Sequence, residues 1–78
     1  MTTTSLLTAS GSRRLLRARE VARLRRQQRF SQTALGDRLD VTASAISQWE
    51  RGSIQPTTAH IVSLAKVFGV EPDELVYK

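Results

Sequence analysis

The segment TASAISQWERGSIQP, residues 42–56, places Ser44, Ser47, Gln48 and Arg51 at helical spacings of three and four. Two hydroxyls, a carboxamide and a guanidinium form a set suited to hydrogen-bonding the polar edges of a partner and to holding an anion. The set is unsuited to breaking bonds. The sequence pairs no nucleophile with a base and contains no metal-ligating cluster and no glycine-rich phosphate loop, so an enzyme is not expected. A lone His60 cannot build a metal site, and its simplest place is a helix surface or cap. There are no cysteines for a disulfide or a thiolate zinc site, and no cofactor is expected.

At about 100° per residue, a helix over this segment divides into two arcs. Thr42, Ala45, Ile46, Trp49 and Glu50 share one; Ala43, Ser44, Ser47, Gln48 and Arg51 share the other. Trp49 is therefore predicted to pack in the core. Glu50 falls at the edge of the buried arc, where an unpaired carboxylate is costly. The outward arc contains no acid, unlike an ordinary solvated helix face, and is the candidate contact surface.

Apolar periodicity supplies the elements that must position these residues. Leu15, Ala18, Val21 and Leu24, joined by Ala22, predict a first helix over 14–28. Its arginines Arg19, Arg23 and Arg26 face away from Val21, whereas Arg25 falls near the Val21 side and needs a specific partner. Ser31 caps a second helix over 31–39, and Thr42 caps a third over 42–51 that stops at Gly52. Asp40 sits in the turn between them, where Asp tolerates left-handed backbone. Thr57 caps a fourth helix over 57–68 carrying Ile61, Leu64, Ala65 and Phe68, and Gly69 ends it. Pro72, Asp73 and Glu74 open a fifth over 72–77 with Leu75 and Val76. Nothing alternates at period two. The expected fold class is all-α: a compact five-helix bundle over 13–78, preceded by a flexible arm over 1–12.

Charge narrows the partner. Twelve basic residues face seven acidic ones in the 78-residue chain, for a net +5. Eight arginines against Glu20 lie between Arg13 and Arg29, so that stretch carries +7 and the remainder −2. Such a patch fits nucleic acid or another anionic surface, the alternative being a solvated helix face. No apolar run approaches the roughly 20 residues of a membrane span, so no membrane partner is expected. SRRLLR (12–17) looks like a twin-arginine signal, and the first 19 residues, which hold no acid, look like a transit peptide. ARLRRQQR follows where an export signal needs an apolar stretch, so both likenesses are read as accidental and a cytoplasmic location is expected.

Helices over 32–39 and 42–51, joined by a tight turn, make a helix-turn-helix arrangement. The crossing needs a small residue, which Gly36 provides, and Leu35, Leu39, Val41, Ile46 and Trp49 fall where they lock the pair to the domain. SQTALGDRLDVTASAISQWERG, followed by IQPTTAHIVSLAKVFGVEPDEL, resembles the Xre/phage-repressor (Cro-like) helix-turn-helix family from about Leu15 to Leu75. The resembling elements are Ser31-Gln32, Ile46-Ser47, Glu50-Arg51-Gly52, Pro56 and LAKVFGVEPDEL. Gly36 stands where the family usually has Ala, and Asp40 where it often has Gly. Gly36 is predicted to weaken helix two by about 0.5–1 kcal/mol.

The resemblance implies a sequence-specific double-stranded DNA-binding transcriptional regulator, a repressor or autoregulator. It would bind an inverted-repeat operator as a dimer, helix three in the major groove, with half-sites about 34 Å apart. Ala43, Ser44, Ser47 and Gln48 would read bases: Gln48 an adenine edge, the serines several bases, Ala43 a thymine methyl. Gln32, Thr42, Arg51, Ser53 and Gln55 would contact phosphates, with Ile54 in the same loop. The family implies a link between Arg25 and Glu50. These readers are short, which predicts modest specificity from a monomer and a share left to DNA shape or the second half-site. Arg19, Arg23 and Arg26 either face solvent or raise the steering potential. Leu75, Val76 and Tyr77 either form the dimer surface or close the core. The alternative function is a protein-interaction module, such as an antitoxin or anti-repressor component. A regulatory protein partner fits either reading, and with no room for a sensing domain a small-molecule ligand is not expected.

Overall fold

The computed structural model describes residues 15–77; the arm expected over 1–12, Arg13, Arg14 and Lys78 lie outside the described residues. Among the described residues four α-helices follow one another: α1 (Ala18–Gln27), α2 (Gln32–Leu39), α3 (Ala43–Glu50) and α4 (Thr58–Phe68). A single 3-10 turn, Pro72–Leu75, stands where a fifth helix was expected over 72–77. The described residues contain no sheet.

Two long-range backbone pairings explain both departures from the expected spans. The Arg17 N–H donates to the Leu75 carbonyl at 2.7 Å, and the Tyr77 N–H to the Leu15 carbonyl at 2.9 Å. Leu16 and Val76 thereby form an antiparallel bridge, which holds residues 15–17 extended and delays α1 to Ala18. The same bridge extends Val76 and stops the final turn after Leu75. Side chains alternate across such a pair. Leu16 and Val76 turn inward, 3% and 2% exposed, while Leu15 and Tyr77 turn outward, 57% each. Leu15, expected on the apolar stripe of helix one, is thus replaced in the core by its neighbour.

The helix ends follow local chemistry. Ser31 Oγ accepts the Ala34 N–H at 2.9 Å, Thr42 Oγ1 the Ala45 N–H at 3.0 Å and Thr57 Oγ1 the His60 N–H at 3.2 Å. Each satisfies an amide that the first turn leaves free. Asp40 closes α2 in the left-handed region (φ 60°), so the Val41 N–H reaches the Gly36 carbonyl at 2.9 Å. Arg29 (φ 64°) does the same after α1, letting the Phe30 N–H donate to the Arg25 carbonyl at 3.0 Å. Gly36 sits at the α2–α3 crossing, where a Cβ would lie 2.6 Å from the Val41 carbonyl oxygen.

Val21, Leu35, Ile46, Ile61, Leu64, Leu75 and Val76 are fully buried, so all four helices and the final turn feed one core. Burial of each such side chain is worth about 1.5–3 kcal/mol. Trp49 joins them, with its ring centroid 5.1 Å from that of His60. Gln28 Nε2 donates to the Phe68 carbonyl at 2.9 Å, tying the end of α1 to the end of α4. Among the described residues no helix is long and apolar enough to cross a membrane.

Candidate nucleic-acid interface

The outward face of α3 is held in place by one carboxylate. Arg25 Nε donates to Glu50 Oε2 at 2.6 Å and Arg25 Nη2 to Glu50 Oε1 at 3.1 Å, a bidentate ion pair whose side chains are 11% and 6% exposed. Arg25 Nη1 donates to the Phe30 carbonyl at 2.9 Å, and Gln32 Nε2 to Glu50 Oε1 at 3.1 Å. Glu50 therefore joins α1, the first residue of α2 and the last residue of α3. A desolvated carboxylate met by three donors fixes the orientation of the elements that carry them.

On the outward arc, Ser44 is exposed and Gln48 half-buried, and neither side chain makes a hydrogen bond among the described residues. Their polar atoms are available to a partner. Ala43 is half-buried at the start of the same face. Ser47 is committed: its Oγ accepts a hydrogen bond from Arg51 Nη1, so the two act as a unit. Ile46 and Trp49 point the other way into the core.

The residues expected at phosphates divide. Arg51 and Ser53 are exposed, and the Ser53 N–H is spent on the Gln48 carbonyl at 3.0 Å. Thr42 Oγ1 is the α3 cap, and Gln55 Oε1 accepts the Leu16 N–H at 2.9 Å, supporting the extended segment before α1. The Gln32 amide is turned to Glu50. These last two roles are long-range, and the sequence holds no local mark of them. Leu75 and Val76, expected as a possible dimer surface, are core residues at 0% and 2% exposure; of the three only Tyr77 is exposed.

The arginines of α1 are not equivalent. Arg23 bonds Glu20 twice, Nε to Oε1 at 3.0 Å and Nη2 to Oε2 at 2.7 Å, and reaches Gln27 Oε1 at 3.3 Å. That hydrogen bonding holds the Glu20 carboxyl below its ordinary range and raises Arg23. Arg19 and Arg26 make no such bonds among the described residues, and both are exposed. Arg38 lies over the Phe30 ring, 5.1 Å from its centroid.

Residues 21–75 match the family described as Helix-turn-helix. The chain belongs to the helix-turn-helix family. Within that family it is similar to repressor protein C2 of Salmonella phage P22, 36% identical over 52 residues. That match covers 67% of this chain and 24% of the phage protein, so the chain spans about a quarter of its relative's length. The crystal structure of the P22 c2 repressor in complex with synthetic operator 9T superposes with a TM-score of 0.75 at 33% identity, covering 78% of this chain and 92% of that one. The restriction-modification controller protein C.AhdI from Aeromonas hydrophila gives a TM-score of 0.68 at 26% identity, over 73% and 83% of the two chains. The helix-turn-helix of this chain is α2, the turn at Asp40 and α3.

Proposed function

We propose that this helix-turn-helix protein is a sequence-specific regulator of transcription, of repressor type, that lays α3 in the major groove of an inverted-repeat operator. The observation that carries the reading is the face of α3 itself: no acid, and two polar side chains, Ser44 and Gln48, with unspent hydrogen-bonding atoms. Gln48 suits an adenine edge and Ser44 several bases, while Ala43 and the Ser47–Arg51 unit flank them. The likeness to a repressor solved in complex with a synthetic operator supports DNA as the partner. Arg51 and Ser53 meet phosphates in this docking, while Gln32, Thr42 and Gln55 hold in place the elements that present them. Two copies on an inverted repeat would meet through exposed apolar side chains; Leu15 and Tyr77 share the outward face of the terminal pairing.

The test is selection of random duplex DNA by the protein at two salt concentrations, with sequencing of what is retained. A two-fold symmetric motif should be enriched, and Ser44→Ala with Gln48→Ala should abolish the enrichment. Salt-sensitive retention without a motif would refute sequence reading, since arginine electrostatics alone give that result.

A further inference from the structure

A groove of about 470 Å³ opens between α1 and the helix-turn-helix pair, with Arg19, Ala22 and Arg26 on one wall and Gln32, Ser47 and Arg51 on the other. Arg19 and Arg26 are seven residues apart, two helical turns, so they project from one face at about 10 Å separation along the axis. Ala22 lies between them, and its small side chain leaves the floor open. Arg51 faces them from the end of α3, with only one of its nitrogens engaged, by Ser47. Glu50 also borders the groove, but its charge is matched by Arg25. Three guanidiniums thus converge on a concavity that offers them no uncommitted carboxylate. Such an arrangement is repulsive when empty, and its planar donors match a phosphate. Arg23, one turn from either residue, shows the contrast, because Glu20 already occupies it.

We infer that this groove seats a backbone phosphate of the bound duplex, held by Arg19 and Arg26 from α1 together with Arg51. The inference rests on the DNA-binding reading above and extends its footprint from the helix-turn-helix to the first helix. Ser47 and Arg51 belong both to the groove and to the outward arc of α3, so a strand passing the reading face would continue into the groove. The arginines of α1 are then two sets: a seat at Arg19 and Arg26, and an internally paired Arg23.

The experiment compares Arg19→Gln, Arg26→Gln and the charge-matched Arg23→Gln on the duplex enriched by selection and on a random duplex. Each change removes one exposed positive charge. Arg19→Gln and Arg26→Gln should each make the plot of log affinity against log salt shallower by up to about 0.9, the value of one phosphate contact. They should weaken both duplexes by the same factor, because phosphate contacts carry no sequence information. Arg23→Gln should leave the slope nearly unchanged. A single methylphosphonate placed at the seated position should weaken the wild type and not the Arg26→Gln protein. Equal slopes for all three variants, or a loss confined to the enriched duplex, would overturn the seat while leaving the function standing. A wild-type protein that binds neither duplex would overturn both.

Discussion

Replacing Arg25 with leucine leaves the Glu50 carboxylate, whose side chain is 6% exposed, with a single donor, the Gln32 amide at 3.1 Å. Removing one partner of a buried pair costs about 3–5 kcal/mol, because the surviving charge remains desolvated. A domain of about 60 residues has a total stability of about 3–9 kcal/mol, so Arg25→Leu removes a third of it or more. Its melting temperature should fall by at least about 12 °C, at about 4–8 °C per kcal/mol for a domain of this size. Glu50→Gln should be milder, at about 1.5–3 kcal/mol, since the carboxamide oxygen still accepts from Arg25. The guanidinium also keeps the Phe30 carbonyl at 2.9 Å. Arg25→Leu combined with Glu50→Leu should be less damaging than Arg25→Leu alone, for no orphan charge is left. Exchanging the two charges should rescue only in part. The Phe30 carbonyl would then face a carboxylate, and the Gln32 amide N–H a guanidinium. Urea unfolding of the wild type, both leucine variants and their combination, followed by circular dichroism, gives the coupling energy directly. A cost below about 1 kcal/mol for Arg25→Leu, with simple additivity in the combination, is the behaviour of an exposed bridge and would refute the reasoning.

Gly36→Ala sets helix propensity, a gain of about 0.5–1 kcal/mol, against crowding, a loss of about 1–3 kcal/mol. With the new Cβ at 2.6 Å from the Val41 carbonyl oxygen, a net loss is expected, visible as a lower melting temperature; a higher one would show that the Asp40 turn yields. Glu20 should titrate below an ordinary glutamate in an NMR pH series, and Arg23→Gln should bring it back up. The stability from a depressed carboxylate is present above its unfolded pKa and lost as pH falls through the folded one, so this small exposed pair contributes at neutral pH and loses its contribution only on the acid side.

Legibility in the sequence tracks the range of the forces. Caps and turns are decided by neighbours three or four residues away, and so Ser31, Thr42 and Thr57 mark the starts of α2, α3 and α4, and Gly69 ends α4. Arg29 is the exception: nothing in its type announces a left-handed residue after α1, and the Phe30–Arg25 backbone bond imposes it. The helical spacing of Leu15 and Ala18 places the start of α1 too early, because a residue sixty positions away claims the backbone there. The fifth helix shortened for the same reason. Its proline and acids do start a turn, but Val76 is worth more paired with Leu16 in the core than wound into another turn.

The chemistry of the outward face of α3 was determined by residue type and spacing alone. A helix of eight residues shows its faces in the periodicity of its sequence, and Ile46 and Trp49 leave Ser44 and Gln48 no direction but outward. The need of Arg25 for a partner was visible in the same way, because a charge on an apolar stripe must be compensated. Which other polar groups remained free was decided at two ranges. Gln32, Thr42, Ser47 and Gln55 have the same kinds of atoms as Ser44 and Gln48; local spacing engages Thr42 with Ala45 and Ser47 with Arg51, and only tertiary structure engages Gln32 with Glu50 and Gln55 with Leu16. Likewise Arg19, Arg23 and Arg26 share one helix face: the i, i+3 spacing pairs Arg23 with Glu20, while only tertiary packing places Arg19 and Arg26 on the groove. A hydrogen bond satisfied inside the fold is unavailable outside it, and three of those four engagements join different parts of the fold or a helix to its cap.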